Sequence, residues 1–209
     1  MKKLRRFSTA IVAVLTILIL VSCSTTEDGQ ANPTETTAIP TTTDDTESTG
    51  TNNDSLAPPV EDPKDVGGVD ICTVLAPESA TELGFDPEGI PQESAVNASS
   101  DPCSWETTGR NDGSGVYIYS DVDRTGLNEM YLLRGDAYPD FREFEIAGYP
   151  AVQASLGGAT DTSCEIHIGV AEDQFITISA GLGFDEEGDP CQLAVRTAES
   201  VVPGLPTAE

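Results

Sequence analysis

Apolar and polar positions divide the chain into three parts. An apolar run over residues 10–21 follows four basic residues near the start of the chain. Residues 24–68 consist mainly of Thr, Ser, Pro, Asp, Glu, Gly and Asn, with very few large apolar side chains. From residue 69 onward, apolar residues return with helical and alternating spacing. The pattern predicts a leader, a linker and one folded domain over residues 69–206.

Within the domain, the spacing of apolar residues predicts an α+β fold. A first helix begins with Pro77 and ends at Gly84, and a last helix begins after Asp189 and Pro190. Strand signals separated by turn residues predict an antiparallel sheet with the helices packed on it. The predicted helices cover residues 77–83, 127–133 and 191–201, and the predicted strands cover residues 103–107, 116–121, 143–146, 151–155, 164–170 and 175–180.

The leader has the features of an export signal with a lipid attachment site. Its apolar run is shorter than the ~20 residues that a membrane-spanning helix needs. The run ends in Leu20-Val21-Ser22-Cys23, which resembles a bacterial lipobox. The resemblance implies removal of residues 1–22 as a signal peptide and lipidation of Cys23 with acyl chains such as palmitate. It also implies a location on the outer face of the cell membrane.

Residues 23–68 are predicted to join the lipidated cysteine to the domain as a disordered tether. Their apolar content is too low to offset the conformational entropy lost on folding. Thr41 to Thr43 and similar runs are typical of stalks that carry sugars, and the sequence leaves open whether they are glycosylated or bare.

Four cysteines remain for the domain: Cys72, Cys103, Cys164 and Cys191. An even number in an exported chain favours two disulfides, although four cysteines allow three pairings. We favour Cys72–Cys103 with Cys164–Cys191, because both loops are then local and uncrossed. Zinc-type spacing is absent, since the sequence has no CxxC pair and a single histidine.

The net charge of the chain excludes some classes of binding partner. The chain has 10 basic and 36 acidic residues, and loss of the four basic residues of the leader leaves six against 36, a net charge of −30. Such a surface repels nucleic acid and anionic headgroups. We therefore expect no nucleic acid partner, whereas cations, basic proteins or neutral ligands remain possible. The partner is expected to be an unknown envelope protein or a small ligand, and separately we expect no cofactor.

His167 is the one side chain suited to act as a base near neutral pH. It lies between Ile166 and Ile168 on a predicted strand, so it faces the opposite way from both. If the two isoleucines point into the core, we expect His167 to face solvent. No Gly-x-Ser-x-Gly elbow accompanies it, so we expect no catalytic residues.

Residues 121–126 resemble the first half of a calcium-binding loop. Asp121, Asp123 and Thr125 supply oxygen atoms at alternate positions, and Gly126 follows. Leu132 occupies the position where a bidentate Glu belongs, and Arg124 adds a positive charge. The alternative is a turn that begins a helix, and Asp121 and Asp123 are only a weak metal candidate.

Several aromatic residues with polar tips are candidates for ligand contacts, since such side chains are enriched at recognition sites. We select Tyr117, Tyr119 and Tyr138 as the candidate ligand-binding residues. Trp105, which lies close to a predicted disulfide, is assigned to the core.

The cysteine-centred motifs resemble the DUF3558 family of actinobacterial lipoproteins. They are Asp70-Ile71-Cys72-Thr73-Val74-Leu75, Asp101-Pro102-Cys103-Ser104-Trp105, Gly148-Tyr149-Pro150-Ala151 and Asp189-Pro190-Cys191. The resemblance implies an exported envelope lipoprotein of uncharacterised function and supplies no catalytic residues. The order of elements also resembles a Mog1/PsbP-type sandwich, which is an analogy of fold.

Together these observations predict a membrane-anchored lipoprotein outside the cytoplasm, with a noncatalytic binding or accessory role in the cell envelope. The alternative is an envelope hydrolase that uses His167 or paired carboxylates such as Asp121 and Asp123.

Overall fold

The computed structural model describes residues 55–93, 100–110, 112–122, 125–183 and 186–209. The predicted signal peptide, Cys23 and most of the predicted tether lie outside the described residues. None of the described helices has the length and apolar content needed to cross a membrane.

The domain is a mixed α+β fold built on one seven-stranded antiparallel sheet with the strand order β1-β2-β3-β7-β6-β5-β4. The helices are α1 (Pro77–Leu83), α2 (Asn128–Leu132) and α3 (Pro190–Val201), with short 3-10 turns at Ile71–Thr73 and Val202–Gly204. The strands are β1 (Ile90–Pro91), β2 (Cys103–Glu106), β3 (Gly115–Asp121), β4 (Arg142–Ile146), β5 (Tyr149–Gln153), β6 (Ser163–Gly169) and β7 (Phe175–Gly181).

All predicted helices and strands are present, and no end differs from its predicted position by more than two residues. Gly84 ends α1 in a left-handed conformation, and the Asp189 carboxylate accepts hydrogen bonds from the first backbone N–H groups of α3. Strand β1 was not predicted. It has only two residues and contains Pro91, so it carries no alternation that a sequence pattern could show.

One face of the sheet forms the main core with α3. Ile118, Ile178 and Ile166 lie side by side on β3, β7 and β6, and each is at most 1% exposed. The Cys164–Cys191 disulfide joins β6 to the start of α3, and Cys72–Cys103 joins the first 3-10 turn to β2. Both disulfides are the favoured pairs. Trp105 is buried in this core, as expected.

The opposite face of the sheet is covered over only part of its area. Around α2, a second cluster of buried apolar residues packs on the β5 side of this face; it contains Leu127, Met130, Tyr131, Val152, Ala154 and Phe175. No described residue forms a comparable apolar layer over the part formed by β2, β3, β6 and β7. This uncovered part is where a groove lies.

The folded domain begins earlier than the predicted boundary at residue 69. Val66 is 1% exposed, and its backbone N–H donates to the side-chain oxygen of Gln174 over 2.8 Å. Lys64 pairs with Thr207 and donates its backbone N–H to the carbonyl oxygen of Val170. The sequence composition predicts that residues 55–68 belong to the disordered tether, and for these residues the prediction is wrong.

Candidate ligand-binding groove

A groove of about 610 Å³ lies on the uncovered part of the sheet. Antiparallel register places Ser104, Tyr117, Ser179 and Glu165 in one row across β2, β3, β7 and β6. All four side chains line the groove and are half-buried. Because neighbouring strands lie about 4.8 Å apart, the row brings together residues that are up to 75 positions apart in sequence.

The depth of the groove comes from the next row of the sheet. There Glu106 and Ser163 are at the sides, and Gly115 and Gly181 are on the two middle strands. A side chain at Gly115 would collide with the carbonyl oxygen of Trp105, so this position requires glycine. A Cβ atom at Gly181 would meet nothing closer than the Gly113 carbonyl oxygen at 3.4 Å. The floor is therefore backbone, and Gly181 is the position where a side chain could fill it.

Two of the three candidate tyrosines line this groove. Tyr117 and Tyr119 lie two residues apart on β3, on the same face of the sheet. Burial and then the nearby charge of Glu165 raise the pKa of the Tyr119 phenol, so it stays protonated at any ordinary pH. Tyr138 is not among the lining residues, and its ring lies 6.3 Å from the ring of His167, centroid to centroid.

Glu165 is one of the two carboxylic acids that line the groove. Its backbone N–H donates to the Ser155 hydroxyl over 3.0 Å. The backbone N–H of Leu156 and the Ser179 hydroxyl act as nearby donors that lower the pKa of its carboxyl. Burial, with a smaller contribution from the charge of Asp140, nevertheless raises the pKa of this carboxyl above its ordinary value, because these donors do not fully replace the lost water.

Asp140 holds the loop that positions Glu165. Its carboxylate accepts from the side-chain amide of Gln153 over 3.0 Å, and from the backbone N–H groups of Ser155 and Ala159 over 3.1 Å each. Burial alone would raise the pKa of Asp140, but these hydrogen bonds outweigh it and lower the pKa. Asp140 therefore stays ionised and fixes the loop beside Glu165.

The structure corrects the expectation for His167. Ile166 and Ile168 do point into the core, and His167 does lie on the opposite face, but it is only 4% exposed. The expected exposure to solvent is wrong because the cluster around α2 covers this part of the face. Burial lowers the pKa of His167 to about 4.

The hydrogen bonds of His167 leave neither ring nitrogen free. Its Nε2 lies 2.9 Å from the carbonyl oxygen of Ala154, which can only accept, so Nε2 carries the proton. Its Nδ1 lies 2.8 Å from the Thr177 hydroxyl and accepts from it. A neutral, fully paired ring of this kind is suited to hold three strands together rather than to take a proton from a substrate.

The weak metal candidate is only partly described. Asp121 ends β3 and is 7% exposed, whereas Asp123 and Arg124 lie outside the described residues. Across the part of the chain that the structure describes, no three His, Cys, Asp or Glu side chains come together as a metal site.

Sequence reasoning missed Glu165, Ser104 and Ser179 as groove residues. Side chains alternate between the two faces along each strand, and this alternation indicates which face of the sheet each of the three residues lies on. The strand order was also needed, because only the pairing of β3 with β7 and of β7 with β6 places these residues next to one another.

Comparison with known proteins supports the resemblance seen in the cysteine motifs. No curated protein matches the chain. The model of the family DUF3558, described as a protein of unknown function, matches residues 18–204. This match spans both disulfides and every strand of the sheet. The chain therefore belongs to the DUF3558 family, whose function is unknown.

Proposed function

We propose that the domain is a noncatalytic binding module of the cell envelope and that the groove is its ligand site. The observation that carries the proposal is the uncovered part of an otherwise packed sheet, with a groove of about 610 Å³. Sites for small ligands have volumes of about 300–1,000 Å³ and combine apolar walls with a few polar groups. Tyr117 and Tyr119 provide the aromatic surface here, and Ser104, Ser179 and Glu165 provide the polar groups.

A variant that fills the groove tests this binding role. Gly181→Val adds a side chain to the floor, and a β-branched residue suits a strand. In a thermal-shift screen of small molecules on the full chain in nonionic detergent, we expect hits whose stabilisation is lost in Gly181→Val. The same hits should persist in Leu56→Ala, which changes a 60% exposed residue outside the groove.

The melting temperature without ligand shows whether Gly181→Val still folds, and Gly181→Ala provides a smaller change if it does not. A screen without hits, or hits that persist when the groove is filled, would contradict the proposed site.

The proposal includes a lipid anchor at Cys23 that holds the protein on the outer face of the cell membrane. It rests on the basic start, the short apolar run and the Leu20-Val21-Ser22-Cys23 ending. Mass spectrometry of the protein from native membranes should show a chain that begins at acylated Cys23. A Cys23→Ala variant should lose the acyl chains, and a native chain with a free Cys23 thiol would rule the anchor out.

Burial of His167 favours this binding role over the alternative of an envelope hydrolase. A base must reach a substrate proton, and both nitrogens of His167 are already engaged. The paired carboxylates Asp121 and Asp123 stay an untested part of that alternative, because Asp123 lies outside the described residues.

We also propose that the domain is related to the Mog1/PsbP-type sandwich. An antiparallel sheet with α1 and α3 near its main core supports the comparison, and superposition of an experimental structure on proteins of that fold would test it. The analogy concerns architecture and adds nothing on function.

A further inference from the structure

The charges of the groove all have the same sign. Among the lining residues that the structure describes, the two with ionisable acids are Glu106 and Glu165, and none is a lysine or arginine. The chain as a whole has the same sign of charge, with 10 basic and 36 acidic residues. An anionic ligand would therefore meet repulsion without a positive partner, whereas a cation would be attracted.

The aromatic residues of the groove suit the same class of ligand. Tyr117 and Tyr119 stand two positions apart on β3, and Tyr117 and Glu165 share one row of the sheet with Ser179 between them. Aromatic rings attract ammonium groups through the negative face of the ring, and a nearby carboxylate supplies the opposite charge. Rings and a carboxylate on one face are the arrangement by which proteins recognise organic cations.

Glu165 lacks a positive partner of its own in the groove. The donors that favour its charged form, the Leu156 backbone N–H and the Ser179 hydroxyl, are both neutral, and none of the described salt bridges includes Glu165. Burial raises the pKa of this group, which means that the neutral donors around it do not fully compensate its charge. A bound cation would supply that compensation.

We propose that the groove binds an organic ammonium group, placed against Tyr117 and Tyr119 and paired with Glu165. This inference rests on the proposed function of the groove as a ligand site. The volume of about 610 Å³ admits a small molecule or a single side chain. The ammonium group can therefore belong to a free small amine or to a lysine side chain of a peptide, which present the same chemistry.

The proposal is tested by comparing the binding of choline with that of 3,3-dimethyl-1-butanol, a neutral molecule of the same shape. The probes differ in one atom, nitrogen against carbon, so the ratio of their affinities reports the contribution of positive charge. With the full chain in nonionic detergent at 0.15 M salt or above, calorimetry should show choline binding at least about tenfold more tightly than the alcohol. The peptide Gly-Lys-Gly, compared with Gly-Gly-Gly, tests the lysine source in the same way.

Glu165→Gln removes the charge while keeping the size of the side chain. We expect it to weaken choline binding by about tenfold or more and to bring the choline-to-alcohol ratio close to one. Glu145→Gln is the matched control, because Glu145 is an exposed glutamate on edge strand β4, outside the groove. Both variants change the net charge equally, so general attraction of cations to an acidic protein would affect them alike.

The possible outcomes distinguish the proposed ammonium site from the more general proposal that the groove binds a ligand. Choline binding that depends on Glu165 and not on Glu145 supports the ammonium site. A second possible result is that neutral ligands bind and lose their binding in Gly181→Val, while choline and Gly-Lys-Gly bind no more tightly than 3,3-dimethyl-1-butanol and Gly-Gly-Gly. That result would keep the groove as a ligand site and overturn the proposed preference for an ammonium group. Equal effects of Glu165→Gln and Glu145→Gln would also overturn it. If no ligand of any charge binds, the proposed function fails as well.

Discussion

At the scale of single residues, His167 contributes to stability through a neutral ring. Its two hydrogen bonds of 2.8 and 2.9 Å connect it to Thr177 on β7 and to Ala154 at the end of β5. An unpaired buried polar atom costs about 1–3 kcal/mol, so both bonds matter. Protonation would place a charge in a site that is 4% exposed, and the fold therefore opposes it.

Because the fold favours the neutral ring of His167, the free energy of unfolding depends on pH in a predictable direction. Burial lowers the pKa of His167 from 6.5 to about 4 in the folded state. Between those values the unfolded chain binds a proton that the folded chain does not, so stability falls as the pH falls from 6.5 towards 4. Between pH 7 and pH 5, this one group should cost about 2 kcal/mol of unfolding free energy.

Urea unfolding of the native chain and of His167→Gln at both pH values measures the effect. Gln cannot titrate, so the difference in unfolding free energy between pH 7 and pH 5 should be smaller in the variant by about 2 kcal/mol. Equal pH dependence in the two proteins would show that His167 is not a buried neutral ring. Comparison of the pH difference within each protein cancels any general loss of stability caused by the substitution.

At the scale of elements, the segment 55–68 is part of the domain rather than of the tether. Its contacts are with residues far away in sequence, such as Gln174 for Val66 and the carbonyl oxygen of Asp62 for the Tyr149 hydroxyl. Composition suggested disorder because the segment has few apolar residues, and a single one of them, Val66, is fully buried. Few apolar residues suffice when the rest of the core is already formed.

Val66→Ala tests whether the segment stabilises the fold. Removal of two buried methyl groups should lower the unfolding free energy by about 2 kcal/mol. Leu56→Ala removes more atoms from the same segment, but Leu56 is 60% exposed, so it should change stability by no more than about 0.5 kcal/mol. Chemical denaturation of both variants provides the comparison, and equal effects would argue against a docked segment.

At the scale of the whole molecule, the two disulfides join helical segments to the core face of the sheet at two different strands, β2 and β6. Cys72–Cys103 spans 31 residues and Cys164–Cys191 spans 27. The two closed loops are similar in length, so both disulfides restrict the unfolded chain to a similar extent. In the chain-entropy model, loops of this length contribute about 3–4 kcal/mol each.

Removal of either disulfide should therefore destabilise the chain by similar amounts. We expect Cys72→Ser with Cys103→Ser, and separately Cys164→Ser with Cys191→Ser, to lower the unfolding free energy by about 3 kcal/mol or more. Chemical denaturation measures both. A variant as stable as the native chain would show that the removed pair does not constrain the fold.

The sequence by itself determined the features that depend on neighbours along the chain. The helix ends at Gly84 and Asp189, the alternating strands and the local pairing of cysteines follow from backbone preferences, side-chain periodicity and short loop closure. The family resemblance rests on the same local motifs and is confirmed by the match over residues 18–204.

Only the tertiary structure decided what covers each face of the sheet. Alternation places His167 and Glu165 on the same side of β6, but one is buried under the cluster around α2 and the other lines an open groove. The face of the sheet on which a side chain lies depends on local strand geometry, which alternates with a period of two residues. The cover depends on packing between distant segments, and no local pattern encodes it.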